Sequence, residues 1–161
     1  NSFIDFFIIN EITSNVDGYR LSTYLHKDRN EKLKMGPIWD LNIGYNRQGR
    51  VPTTDWMVNY NKYVETDPWM LPFWWPRLLQ DPIFQHQLKI RWELLRSSEL
   101  SNSSVLNLVQ NTADYLIENG TVDRNYKRWS GVDVDYSSVI DDLKTHLEQR
   151  LDWMDLQINA F

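Results

Sequence analysis

Two short stretches carry the residues best suited to chemistry: Asn15-Val16-Asp17 and Asp40-Leu41-Asn42. Each sets an acid close to an amide. Two carboxylates brought together repel, and one takes up a proton unless a cation lies between them. A hard divalent ion with oxygen ligands is the natural solution, and the Asn15 and Asn42 carbonyls can add neutral oxygens. The competing reading is plainer. Asp and Asn at strand ends often bond their own backbone as turn formers, and Asp17-Gly18 is common turn chemistry. The residue types alone leave both readings open.

What lies between the two stretches decides whether they can meet. In "GYRLSTYLH", Tyr19, Leu21, Thr23 and Leu25 alternate with Arg20, Ser22, Tyr24 and His26, the period of a strand. "KDRNEK" is turn material. "LKMGPIW" reads as a second short strand that Gly36 and Pro37 weaken near its end. A turn centred between Asp28 and Arg29 pairs Leu25 with Lys32 and Leu21 with Gly36, and the same register sets Asp17 opposite Asp40. The expectation is that both acids emerge at one end of a hairpin and face a common cleft.

The remaining elements are mostly helical. "SFIDFFIINEITS" is apolar almost all round, which fits a buried helix opened by Ser2 and Asp5 as a capping box, although "FFII" alone would suit a buried strand. Residues 44–72 show no sustained period and read as a long loop, a length often tied to function. Asp81-Pro82 is an N-cap followed by proline at the first helical position, ahead of the stripe Phe84, Leu88, Trp92 and Leu95. Ser101 or Ser103 opens a further helix with Val105, Leu108, Val109, Thr112, Tyr115 and Leu116 on one face and Gly120 as its stop. "TVDRNYKRW" is a short helix, and 136–158 a longer one carrying Val139, Leu143, Leu147, Leu151, Met154 and Ile158. Asp133 and Asp135 read as loop and N-cap residues, and Trp74-Trp75 as core. The fold class expected is α+β, mainly α-helical: a short β-hairpin seated on a helical bundle, with residues 1–161 as one domain.

Composition narrows the function. A formal net charge of −5 gives no electrostatic support for nonspecific binding to nucleic acid or anionic membrane. No apolar run has the length of a membrane span. With no Cys, disulfides, thiolate metal sites and Cys nucleophiles are excluded. His26, His86 and His146 lack metal-ligand spacing, and no Ser-His-Asp order with nucleophile-elbow glycines occurs. Arg20 and Arg91 could meet phosphate, with structural ion pairs as the default. Eight Trp residues fit core packing first and a sugar platform second. The chain starts Asn-Ser-Phe and turns apolar at once, which reads as a piece of a longer protein.

The order of helix, Asp-bearing loop, hairpin and second Asp resembles the catalytic-loop and metal-loop segment of a kinase C-lobe. More closely, "NVDGYRLSTYL" followed by "KLKMGPIWDLN" is similar to the spore coat protein H (CotH) kinase family, and "LLQDPIFQHQLKIRWELLR", "RNYKRW" and "LEQRLDWMD" look like the C-terminal half of that family's domain. The resemblance implies that Asp17 is the catalytic-loop acid, that Asp40 binds metal and that Asn42 is a further ligand. It implies ATP and Mg²⁺ or Mn²⁺ as cofactors, protein Ser or Thr hydroxyls as acceptors and a nucleotide-binding N-terminal lobe upstream, without which the piece is inactive. It also implies an extracytoplasmic setting, as for relatives that are exported or act in spore coats. Departures from ordinary kinases are clear. Asn15-Val16 stands where they have His-Arg, Ser22 where they carry a metal-binding Asn, and Leu41-Asn42 where they have Phe-Gly. A second metal would need another ligand. The alternative is a noncatalytic surface module holding a glycan or protein partner through Trp56, Tyr60, Tyr63 and Trp69.

Overall fold

The computed structural model describes residues 2–45, 49–129, 131 and 134–161. Six α-helices occur among them: α1 (Ser2–Ile12), α2 (Trp74–Leu79), α3 (Pro82–Arg96), α4 (Asn102–Glu118), α5 (Thr121–Arg128) and α6 (Tyr136–Asn159). Two-residue strands β1 (Leu25–His26) and β2 (Lys34–Met35) pair antiparallel, and short 3₁₀ turns cover Val16–Tyr19 and Met57–Lys62. The protein is therefore mainly α-helical with one small two-stranded sheet.

Helix α1 is the axis of the core. Phe6, Phe7, Ile8 and Ile12 are all buried, as an element apolar on every side requires. The indole of Trp75 stacks on Phe6 with ring centroids 5.7 Å apart and meets Tyr19 edge-on at 4.8 Å. Helix α3 contributes Leu88 and Trp92, and α6 contributes Leu147, Leu151, Met154 and Ile158 at helical spacing. The Asp81 carboxylate caps α3 through Ile83 N and Phe84 N, Ser101 caps α4 and Asp135 caps α6. Asp133 lies outside the described residues.

Several expectations change. Ser2 opens no capping box: its hydroxyl accepts from Met35 N and so ties α1 to β2, while Asp5 pairs with Arg91 at 2.7 Å. On α4, Leu108 and Tyr115 face outward, and the inner row is Val105, Val109 and the buried Ala113. The segment read as a loop has only a short 3₁₀ turn among its described residues, as expected, but it also sends Val51, Trp56, Met57, Val58 and Tyr60 into the core. Its side chains follow a 3₁₀ turn and irregular backbone, so no simple period marks them.

The hairpin departs most. Leu25 pairs with Met35 and His26 with Lys34, three residues from the expected register. The alternation from Tyr19 to Thr23 belongs to no strand. The chain there is a 3₁₀ turn and its exit, held by the Asp17 carbonyl, which accepts from the backbone N–H of Arg20, Leu21 and Ser22.

Candidate functional site

The site is built on the C-terminus of α1. Ser14 N–H donates to Glu11 O and Asn15 N–H to Asn10 O, the two bonds of a Schellman cap. The left-handed residue this cap needs is Ser14, at φ 50°, rather than glycine. Its hydroxyl lies 3.2 Å from His146 Nε2 of α6, where burial holds the imidazole below its usual value, aided by repulsion from Arg150. The cap turns Asn15 inward. It is fully buried, and its Nδ2 donates to Asn10 Oδ1 at 2.9 Å. Gly18 packs directly on that bond. A Cβ there would overlap the Asn10 amide and stand 3.0 Å from Asn15 Nδ2, so the close approach requires glycine.

Asp17 projects from this turn with its side chain 14% exposed. Among the described residues its carboxylate accepts no backbone N–H, as a turn former would. Its Oδ1 accepts from Arg20 Nε at 2.8 Å and from Arg50 Nη1 at 3.0 Å. Arg20 reaches further, donating to Asp67 Oδ2 at 2.7 Å and to Trp69 O at 2.8 Å while its guanidinium lies 4.7 Å from the Tyr60 ring centroid. Arg50 faces the same ring at 5.8 Å. Tyr60 OH donates to Asp67, as does Trp69 N–H. These two bonds, with Arg20, lower the Asp67 carboxyl to about 2.

The second acid sits on a neighbouring loop. Asp40 is exposed and left-handed at φ 62°, a conformation that Asp tolerates, and Asn42 is exposed as well. After them the chain turns back, with Gly44 N–H donating to Leu41 O at 3.0 Å and Tyr45 N–H to Thr13 O. Gly44 therefore lies against Thr13 O and Asn15, so the loop after Asp40 is fastened to the loop before Asp17. This junction does not arise from strand register, which would set Ile43 rather than Asp40 opposite Asp17. Asn15 Oδ1, buried beside the junction, has no hydrogen-bond partner among the described residues. Among those residues no group of three or more acids or histidines forms. The available donors are one exposed carboxylate and amide oxygens, a hard set that needs oxygens from elsewhere to complete an octahedron.

A second arginine–carboxylate pair holds this assembly from below. Glu11 and Arg150 are both fully buried and meet at 2.7 Å, joining α1 to α6. Arg150 also donates to Glu11 O, Thr53 O and Asp55 O. Glu11 accepts further from Tyr19 OH at 2.9 Å, Met57 N–H at 2.7 Å and Val58 N–H at 3.2 Å. Burial pushes the Glu11 carboxyl up, against the pull of Arg150 and these donors.

A family model described as CotH kinase protein matches residues 1–154. The chain belongs to the CotH kinase family. No curated protein matches it, and no solved structure does.

Within this CotH domain, sequence reasoning singled out Asp17, Asp40, Asn15 and Asn42, but it did not join Asp17 to Arg20 or Arg50. Both arginines that could have met phosphate are in ion pairs instead, Arg20 with Asp17 and Asp67 and Arg91 with Asp5. Arg50 and Asp67 carried no local signal, because they come from a segment without periodicity, and Tyr60 was read only as part of an aromatic platform. The aromatic platform loses two of its four rings: Trp56 and Tyr60 are buried, while Tyr63 and Trp69 are exposed.

Proposed function

We propose that this CotH domain is the C-terminal lobe of a phosphotransferase that moves phosphate from ATP to Ser or Thr hydroxyls of a protein. The observation that carries the reading is the junction of the two acidic loops, with the Asp40 loop fastened through Gly44 and Tyr45 to Thr13 and Asn15. In this reading Asp17 orients the acceptor hydroxyl and takes its proton. Asp40 and Asn42 would hold Mg²⁺ or Mn²⁺, as hard oxygen donors that leave further positions for oxygens from outside the chain. Such a metal supplies neutralisation of phosphate charge, while positioning supplies most of the rest. The nucleotide's other contacts come from an upstream lobe, for which the exposed hairpin apolars Tyr24, Leu25, Leu33 and Trp39 are a suitable seat. An extracytoplasmic location goes with the family.

Asp40→Asn tests the reading in the full-length protein. The variant keeps the turn, since Asn tolerates the same backbone, but loses the charge that holds a hard cation. Phosphotransfer is expected to fall by about a hundredfold or more, on the scale of losing a principal electrostatic group. Millimolar Mg²⁺ with ATP is expected to raise the wild-type melting temperature by mass action, and that shift disappears in the variant. Equal shifts in both proteins would remove Asp40 from the metal site. The isolated 161 residues are expected to transfer no more radiolabelled phosphate than an Asp17→Asn, Asp40→Asn double variant. Activity in that fragment would sink the two-lobe reading.

A further inference from the structure

We infer that Arg20 and Arg50 are positioning residues that fix the Asp17 carboxylate by one oxygen and leave the other for the acceptor hydroxyl. This rests on the reading of Asp17 as the proton acceptor. Both guanidinium groups converge on Oδ1, from Arg20 Nε at 2.8 Å and Arg50 Nη1 at 3.0 Å. Among the described residues no donor reaches Oδ2. A structural arginine–carboxylate pair is commonly a two-bonded fork on a single acid. Arg20 instead divides its nitrogens between two acids, Nε to Asp17 and Nη1 to Asp67. One donor on one oxygen would leave the carboxylate free to rotate about its Cβ–Cγ bond. Donors from two separate chain segments fix that torsion and direct Oδ2.

The supports are themselves anchored. Asp67 and the Trp69 carbonyl hold Arg20 from one side and the Tyr60 ring from another. The side chains of Arg20, Asp17 and Arg50 are 7%, 14% and 19% exposed, so the group is largely shielded yet open at one edge. In the step this serves, the acceptor oxygen forms a bond to the terminal phosphorus of a nucleoside triphosphate as its proton passes to Asp17 Oδ2. The bond from that phosphorus to the bridging oxygen breaks, and its electron pair leaves with the nucleoside diphosphate. Asp17 then returns the proton to solvent. A carboxylate turned by even a small angle loses the aligned geometry on which such a step depends.

The test compares full-length wild type with Asp17→Asn, Arg50→Met, Arg50→Lys and Arg20→Met, measuring kcat and KM for ATP and for a protein acceptor, with thermal melts of each. Arg50→Met is expected to lower kcat by about ten- to a hundredfold, the scale of a misplaced catalytic group, while both KM values change less than about twofold. Arg50→Lys, which keeps the charge and one donor, is expected to recover part of the loss, and the melting temperature of both to stay near wild type. Arg20→Met is expected to lose more, and because Arg20 also bridges Asp67 it can fail to fold; the more exposed Arg50 then carries the test. Unchanged kcat in Arg50→Met beside an inactive Asp17→Asn would overturn the positioning role and leave Asp17 standing. A rise in kcat, or a fall that tracks melting temperature with no recovery by lysine, would overturn it too. If wild type itself transfers nothing above Asp17→Asn, the role of Asp17 fails and the inference with it.

Discussion

Two arginine–carboxylate clusters are built on acids close together in the chain, Glu11 and Asp17, and differ in almost everything except their chemistry. Glu11 and Arg150 are sealed, and both carboxylate oxygens of Glu11 carry bonds: Oε1 from Tyr19 and Val58, Oε2 from Arg150 and Met57. Asp17 with Arg20 and Arg50 sits at an open edge, and both of its bonds fall on one oxygen. The sealed cluster consumes its whole hydrogen-bonding capacity in tying α1, α6 and the 53–58 segment together. The open one keeps capacity in reserve. An unsatisfied buried acceptor is costly, whereas one at a solvent edge costs little until a substrate meets it. The comparison separates an ion pair that holds the fold from one that can serve chemistry.

The largest effect is expected from breaking the sealed pair. Arg150→Met removes the only cation that, among the described residues, meets Glu11 at contact distance, and leaves a carboxylate buried and unpaired. Loss of one partner of a buried pair costs about 3–5 kcal/mol. Urea denaturation is expected to show that loss, and a double variant with Glu11→Leu should recover part of it. Recovery is partial because Tyr19 OH and the Met57 and Val58 N–H groups then lack their acceptor. If Arg150→Met falls within about 1 kcal/mol of wild type, as a surface pair would, the distinction between the clusters collapses.

Between the two clusters lies Gly18, and altering it sharpens the contrast. Gly18→Ala drives a methyl into the Asn10–Asn15 amide pair, so the turn that presents Asp17 must shift. Overpacking together with a broken buried hydrogen bond costs about 1–3 kcal/mol. Tyr19 hydroxyl titration and near-ultraviolet circular dichroism are expected to show the sealed cluster intact while phosphotransfer by the full-length protein falls more than stability accounts for. A loss of activity no greater than the fraction unfolded would mean that the turn does not set Asp17.

How much of this was legible in the sequence follows the same divide. The α1 core, the Asp81-Pro82 start of α3 and the Leu147–Leu151–Met154–Ile158 row of α6 obey local rules of period and capping, and the structure has them. Asp17 and Asp40 were visible because two acid–amide pairs flanking one hairpin form an unusual pattern. The hairpin register was not. With only two residues in each strand, too few side chains fix the pairing, and alternation in 19–23 imitated a strand where the Asp17 carbonyl gathers three N–H groups into a turn. Arg50 and Asp67 were invisible for a different reason. They approach Asp17 across 33 and Arg20 across 47 residues of chain, through a segment whose folding depends on tertiary contacts such as Glu11 with Met57 and Val58.

The smallest effect is a pH dependence in which the open cluster loses stability as pH falls, opposite in sign to that of Glu11, whose carboxyl burial pushes up. Hydrogen bonds from Tyr60 and Trp69 N–H, with Arg20, lower the Asp67 carboxyl from an ordinary 3.8 to about 2. Because the folded-state value lies below the unfolded one, the ionised carboxylate stabilises the fold, fully so above pH 3.8, and that contribution is lost as pH falls from 3.8 toward about 2. Asp67→Asn keeps the shape but cannot ionise. Wild type is therefore expected to melt at the higher temperature at pH 6, with the difference narrowing steadily below pH 4 and nearly closed at pH 2. Arg20 then loses one anchor, and the shift of kcat in Asp67→Asn should be in the direction of Arg20→Met but smaller, since Asp17 and the Trp69 carbonyl still hold the guanidinium. A melting difference that is constant from pH 6 to pH 2 would mean that Asp67 acts through packing alone, and that the open cluster draws no charge support from it.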